Sequence, residues 1–233
     1  MGFPVSGTIS KAANILAKRP AVLVPLLLSW LVSIPFIIYI SSPPDLTAYS
    51  FGTATGWLAT MFGAALVIGL LSIFFEGFAI SVAYNSISRN PSLRESAGTA
   101  VSTYLYLLAA TIIMIIALTA GLIALIIPGI FIALKLSLAP YAVVVDRLGP
   151  IEAMEKSWKI TKNNLLSIFL LGIVIFLPAF AISFIIGIMA GVSPLAGAPQ
   201  AANAYADILS SLIATFFAGL YTVSMALVYK KLR

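Results

Sequence analysis

The chain has 233 residues, of which 61% are hydrophobic and only 9% are charged. That charge content is far below the roughly 25% of soluble domains, and several apolar runs reach the about 20 residues that a helix needs to cross a bilayer. The low charge content and the long apolar runs predict an all-α membrane protein. The absence of cysteine and histidine excludes disulfides, thiolate nucleophiles, Cys/His metal sites and histidine acid–base catalysis.

The acidic residues, 7 in number, are scattered along the chain. We therefore expect no metal site, no cofactor and no catalytic group, and we predict that the protein is not an enzyme. The net charge of +6 raises the question of nucleic-acid binding. The basic residues lie on loops beside apolar runs, however, which is typical of membrane proteins, so no nucleic-acid partner is expected.

The N-terminal segment, residues 6–19, is predicted to be an interfacial helix. Ile9, Ala13 and Leu16 lie along one face, and basic residues lie along another. The apolar run that follows is longer than the roughly 7–15 residues of a signal-peptide core. It is therefore interpreted as a retained first span.

Six spans are predicted within one membrane domain that covers residues 1–233. Ser92 and Glu95 match a capping box, and the helix that they start is predicted to continue into span three. Pro128-Gly129 separates spans three and four, because an unbroken helix over 103–145 would be too long for any bilayer. The predicted spans are 21–40, 57–83, 103–127, 129–145, 165–190 and 206–229.

The distribution of basic residues predicts the orientation. With six spans, all but one of the 13 basic residues fall on one side, and the loops at 41–55 and 191–204 carry none. The positive-inside rule then places both termini in the cytoplasm, in a protein of the cell membrane. The spans group as three hairpins, each preceded by a cytoplasmic amphipathic or polar helical segment.

Two ionisable residues, Glu76 and Lys135, fall inside predicted spans and are the candidates for an intramembrane charge pair. Counted along ideal helices, both lie at similar depth near the middle of the hydrocarbon core. An ionisable residue at that depth is a functional hypothesis by default. The alternative is a purely structural pair that fixes helix packing.

Residues 150–163 are predicted to form a charged helix at the membrane surface, with Ile151, Met154 and Trp158 on its apolar face. One hypothesis is a helix that binds a protein partner or anionic lipid headgroups. The other is an ordinary juxtamembrane helix whose Glu and Lys side chains pair locally. The candidate interaction residues are Asp146, Lys156, Ser157, Trp158, Lys159, Lys162 and Asn163.

The stretch 128–164 resembles a known family. Its matching elements are Pro128-Gly129-Ile130, Lys135-Leu136-Ser137-Leu138-Ala139, Val143-Val144-Val145-Asp146, Gly149-Pro150-Ile151-Glu152-Ala153, Ser157-Trp158 and Lys162-Asn163-Asn164. They resemble the integral-membrane domain found ahead of some glycerophosphoryl diester phosphodiesterases and related stand-alone six-span proteins. The resemblance implies the fold and the membrane location. It does not imply phosphodiesterase activity, which in that family depends on histidines that this chain lacks.

The sequence favours a non-enzymatic membrane protein that acts as a scaffold, an assembly factor or a lipid-associated accessory factor. Expected partners are membrane lipids, with anionic headgroups on the cytoplasmic face, and a protein partner or a second copy of the chain. The alternative is a small-solute or ion transporter that uses Glu76 and Lys135.

Overall fold

A computed structural model describes residues 2–41, 51–192 and 201–233. Within those ranges all regular secondary structure is helical, as the composition predicts. The elements are α1 Val5–Lys18, a 3₁₀ turn Pro20–Val22, α2 Leu23–Ser41, α3 Phe51–Ser86, α4 Leu93–Ala124, α5 Ile126–Leu136, α6 Ala139–Asp146, α7 Pro150–Thr161, α8 Leu165–Val192 and α9 Ala201–Leu232.

Six helical stretches are long and apolar enough to cross a membrane, which confirms the predicted number of spans. Each overlaps one predicted span, although several begin or end some residues away from the predicted limits. The stretches are Pro20–Ser41, Thr55–Ser86, Leu93–Ile123, Ile126–Asp146, Leu165–Ala190 and Ala204–Leu232.

The start of α4 is capped by Ser92 as predicted, but Glu95 turns its carboxylate to Arg89 instead of completing the predicted capping box. Ser92 is the N-cap, and its Oγ accepts a hydrogen bond from the Glu95 N–H at 3.3 Å. The Glu95 carboxylate lies 2.5 Å from Nη2 of Arg89 and so forms an ion pair. Because one continuous helix then runs from Leu93 to Ala124, the cap and the third span belong to a single element.

The break between spans three and four lies earlier than predicted. Leu125 is extended, with φ −173° and ψ 156°, and α5 already begins at Ile126. Pro128 falls in the first turn of α5, where a helix has no partner for a backbone N–H and proline is therefore tolerated. Gly129 contributes by its small size: a Cβ there would lie 2.4 Å from Leu122 Cδ2, so α4 and α5 approach too closely for a side chain.

A second break, which the sequence pattern did not predict, divides span four into α5 and α6. It falls at Ser137 and Leu138, just before Pro140 in the first turn of α6. Proline has no N–H for the carbonyl four residues earlier. After α6 the chain turns at Arg147, which adopts the left-handed conformation with φ 54°, and α7 packs back against α6 and α5.

The packing of the bundle is uneven along its length. The buried residues cluster in 78–83 of α3, 138–144 of α6 and 223–226 of α9. By contrast, no described side chain in residues 55–76 of α3 is buried. The fully buried side chains are therefore concentrated where α3, α6 and α9 meet.

Helix α1 packs on protein rather than standing free. Ala12 and Leu16 are buried, whereas Ala13, predicted on the same apolar face, is exposed. Helix α1 contacts α9 and, to a smaller extent, α8. Ile9 also packs against the core, so the predicted face is right for Ile9 and Leu16 and wrong for Ala13, whose place on the buried side is taken by Ala12.

Candidate functional site at the charged end of the bundle

Long-range polar contacts join the ends of four elements at one end of the bundle. Nη1 of Arg19 donates hydrogen bonds to the carbonyl oxygens of Ser86 and Arg89, the latter at 2.7 Å. Nζ of Lys230 donates to Oγ of Ser88 at 2.5 Å. We call this surface the charged end and define it by Arg19, Arg89, Asp146, Lys156, Lys230 and Arg233.

Asp146 is the centre of the largest network at the charged end. Its carboxylate, only 8% exposed, forms ion pairs with Lys156 of α7 and with Arg233, whose Nη2 lies 2.8 Å from Oδ1. The hydroxyl of Tyr229 donates a hydrogen bond to Oδ2. One carboxylate at the end of α6 therefore fixes α7, α9 and the C-terminal residue in a single arrangement.

The Arg233 guanidinium is held on two sides. It donates a hydrogen bond to the hydroxyl of Tyr84 at 3.2 Å and faces the Asp146 carboxylate. The hydrogen bond to Tyr84, together with the charge of Asp146, raises the pKa of Arg233 above its usual value against the opposing effect of desolvation. The cation at this position therefore stays charged throughout the physiological range.

Ser157 has a structural role at the break between α5 and α6. Its buried hydroxyl donates to the Lys135 carbonyl at 2.7 Å and accepts from the Leu138 N–H at 3.2 Å. The Thr161 hydroxyl, one turn later, donates to the Ser157 carbonyl at 2.7 Å and lies 3.3 Å from the Lys135 carbonyl oxygen. Because the helix break leaves backbone groups without helical partners, the Ser157 hydroxyl supplies the missing hydrogen bonds.

The buried face of α7 consists of small residues, Ala153, Ser157 and Thr161. Ile151 and Trp158, predicted on the apolar face, are 64% and 44% exposed. The predicted face exists and is largely exposed, although Met154 is half-buried and the Trp158 ring also packs against Phe131, with centroids 5.9 Å apart. The exposed part of this face is thus left free to contact lipid or a partner.

Lys135 is buried beside α7, with 4% of its surface exposed. Its ammonium nitrogen lies 5.6 Å from the ring centroid of Phe131, 5.3 Å from that of Trp158 and 3.4 Å from the Trp158 carbonyl oxygen. Desolvated cation–π contacts of this kind stabilise by about 2 kcal/mol. The cation is therefore satisfied by two rings and a carbonyl.

Glu76 lies where the tightly packed part of α3 begins. Its side chain is exposed. The residues that follow it, 77–83, are buried, and so is Tyr141 of α6. The Tyr141 hydroxyl donates a hydrogen bond to the Thr222 carbonyl at 3.1 Å.

The structure does not bring Glu76 and Lys135 together. Within the described part of the chain, ion pairs join Arg89 to Glu95, Lys156 and Arg233 to Asp146, and Lys159 to Glu155. The predicted charge pair is absent from this set. The physical reason is that α7 folds back onto α5, so an aromatic ring and a carbonyl occupy the space beside the Lys135 ammonium.

The remaining candidates on α7 are divided between pairing and exposure. Lys156 belongs to the Asp146 network, and Lys159 lies 3.7 Å from Glu155, one helical turn earlier. Lys162 and Asn163 follow the helix and are exposed. The charges of α7 are thus partly neutralised within the chain.

Of the residues at the charged end, the sequence predicted Asp146 and Lys156. It did not predict the others, which are Arg19, Arg89, Lys230, Arg233 and the Asp146 partner Tyr229. Tyr229 lies at the limit of the predicted sixth span, 206–229. The hydrogen bond that it makes joins residues 83 positions apart. The only sequence feature that indicated this network was the concentration of charge near Asp146 and at the C-terminus. That feature does not predict which groups form contacts.

A family described as "Domain of unknown function (DUF7847)" matches residues 3–232 of the chain. No curated protein and no solved structure matches. The family description contains no link to glycerophosphodiesterases, so the resemblance of residues 128–164 to their membrane domain stays a prediction.

Proposed function

We propose that this chain, which belongs to the DUF7847 family of unknown function, is a non-enzymatic membrane protein that serves as a scaffold, assembly or lipid-associated accessory factor. We place it in the cell membrane as three hairpins with amphipathic segments on the cytoplasmic side. The family match covers residues 3–232, so the proposal applies to nearly the whole chain.

One observation carries the proposal: the charged end is fixed by contacts between distant elements. Asp146 joins α6, α7 and the end of α9, while Arg19 joins the chain after α1 to the end of α3. A surface whose parts are already held in place loses little conformational entropy when a ligand binds. Such a surface therefore favours the binding of a lipid or a protein. The exposed Ile151 and Trp158 add apolar surface beside it.

The test is to isolate the protein from native membranes in lipid-preserving polymer discs and to identify co-isolating lipids and proteins by mass spectrometry. We expect a defined partner or an enriched lipid class with the native chain. Asp146→Asn should reduce the enrichment, because it loosens the charged end. Glu76→Gln, which lies outside the charged end, should leave it unchanged.

Isolation of the native chain with lipids in bulk proportions and without a stoichiometric protein would contradict the scaffold and lipid-associated roles. Enrichment that survives Asp146→Asn but disappears with Glu76→Gln would also contradict them. That outcome would instead assign the function to the region around Glu76.

A transporter remains the second candidate, and the position of Glu76 favours it. An accessible carboxylate within a span, without an ion pair among the described residues, is a feature of substrate and proton pathways. Lys135 lies against the rings of Phe131 and Trp158 and forms no ion pair with Glu76 in the described part of the chain. A transporter would therefore depend on Glu76 alone, and a small solute should then co-isolate with the native chain and be lost with Glu76→Gln.

The proposed orientation has its own test. A single cysteine at Tyr205, which is exposed at the start of the last span, should react with an impermeant thiol reagent outside intact cells. A cysteine at Asn90, between α3 and α4, should react only after the membrane is opened. The native chain has no cysteine, so the background is zero, and labelling of Asn90→Cys from outside would reverse the orientation.

A further inference from the structure

Two adjoining cavities lie where α1 crosses the ends of α3 and α9, and Lys11 and Leu227 line both of them. The first has a volume of about 360 Å³ and lies between α1 and the end of α3. The second has a volume of about 260 Å³ and lies between α1 and the end of α9. Their basic lining residues are Lys11, Lys18, Arg19, Lys230 and Lys231.

These five cations have no acidic partner within the described chain. No carboxylate lines either cavity, and the ion pairs of the described residues involve other basic groups. Arg19 and Lys230 bind neutral oxygens, which leave their charge uncompensated. A cluster of like charges around a concave surface attracts an anion, so these cavities differ from α7, where lysines pair with neighbouring carboxylates.

An apolar groove begins beside the basic cavities. Directly after Arg19, the chain passes through the 3₁₀ turn into α2, where Leu23 and Leu27 line a cavity of about 370 Å³ together with Leu212 and Phe216 of α9. A basic pocket followed by an apolar groove along two spans is complementary to an anionic amphiphile. The headgroup of such a molecule would lie at the membrane surface, and its chain would lie in the hydrocarbon region.

We propose that the cavities beside α1 bind the phosphate headgroup of an anionic phospholipid and that the groove between α2 and α9 holds one of its acyl chains. The inference rests on the proposed function, since this site would be the part of the accessory factor that associates with lipid. It names the lipid class and the elements, which the general proposal does not.

The headgroup half is tested with the full chain in detergent, titrated with phosphatidylglycerol and, separately, with phosphatidylcholine, while native mass spectrometry counts the bound lipids. Lys11→Ala with Lys18→Ala should weaken phosphatidylglycerol binding about 30-fold, since each basic group at such a surface contributes roughly fivefold. Both lysines are exposed, so the fold should survive. Arg94→Ala with Arg147→Gly removes the same charge from exposed positions outside the cavities and should change binding little.

The acyl-chain half is tested by filling the groove. Leu27→Trp should weaken phosphatidylglycerol binding at least threefold and leave the binding of inorganic phosphate unchanged. Leu28→Trp places the same ring on the adjacent exposed position of α2, outside the groove, and should affect neither ligand.

The outcomes separate the site from the proposed function. If the native chain prefers phosphatidylglycerol, but only the paired substitution of Lys159 and Lys162 abolishes that preference, the site is on α7 and this inference is overturned while lipid association stands. If inorganic phosphate binds as tightly as the lipid, the ligand is a soluble anion, and if Leu27→Trp has no effect, the groove holds no acyl chain; either result overturns the inference. Equal binding of both lipids by the native chain would also overturn the inference, whereas the proposed function depends on the lipids and proteins that co-isolate with the native chain.

Discussion

The two ends of the bundle are held together by different chemistry. At the charged end, Asp146 and its cationic partners join elements that are far apart in the chain. At the far end, defined by Ser41, Trp57, Leu125 and Asp207, the contacts among the described residues are single hydrogen bonds and a ring contact between Tyr39 and Trp57. The Ser41 hydroxyl donates to Asp207 Oδ2 at 2.6 Å, and the Tyr39 hydroxyl lies 3.4 Å from the Trp57 carbonyl.

The comparison indicates where this fold keeps its rigidity. Buried residues and networked charges coincide in the half of the bundle that contains α6, whereas residues 55–76 of α3 contain no buried side chain among the described positions. In a bilayer, lipid chains cover such surfaces without a cost in free energy, because the chains are as apolar as the side chains. The networked half therefore has to supply the specificity of assembly.

The largest expected effect is the loss of the Asp146 carboxylate. Asp146→Asn leaves Lys156 and Arg233 without their counter-charge. It should lower the stability in detergent by about 2–3 kcal/mol, somewhat less than for a fully buried pair because both cations are partly exposed. Asp207→Asn, the matched change at the far end, should cost about 1 kcal/mol or less. Thermal unfolding of both variants measures the difference, and equal losses would remove the contrast between the ends.

The next effect concerns glycine contacts. Gly129→Ala would place a methyl group against Leu122 and should cost about 1–3 kcal/mol through overpacking between α4 and α5. Gly187→Ala meets nothing within 4 Å and should be neutral or stabilising by up to about 1 kcal/mol, as expected for alanine in a helix. Destabilisation by Gly187→Ala would indicate a partner on that face.

Ser157→Ala should destabilise by about 1–2 kcal/mol, because the Leu138 N–H and the Lys135 carbonyl lose a buried partner. Ser211→Ala provides the comparison near the far end, where the hydroxyl accepts one hydrogen bond from Trp30 Nε1 at 3.0 Å. We expect that change to cost about half as much. Chemical denaturation in detergent would compare them, and a neutral Ser157→Ala would show that the break between α5 and α6 needs no support from α7.

The smallest expected effect is a coupling energy. Glu76→Gln and Lys135→Met should have effects on stability that add within about 0.3–0.5 kcal/mol, as for residues without shared partners. The four variants of the double-mutant cycle, unfolded by heat in detergent, measure it. A coupling energy above about 1 kcal/mol would mean that Glu76 and Lys135 interact after all.

The sequence by itself determined the all-helical class, the number of membrane-length helices and the cap at Ser92. These features depend on local composition and spacing, which hydropathy and helix capping report directly. The separation of basic residues along the chain also anticipated that charged groups would gather at one end.

Only the tertiary structure decided which charged groups meet. Lys135 lies against Trp158 instead of Glu76, and Asp146 lies against Tyr229 and Arg233, because α6 breaks from α5 and α7 folds back over the break. Helical periodicity gives the residues that share a face, but it does not give the neighbour that covers that face. That choice depends on the close packing of elements distant in the chain, as where Ser157 supplies hydrogen bonds to backbone groups 19 and 22 residues away.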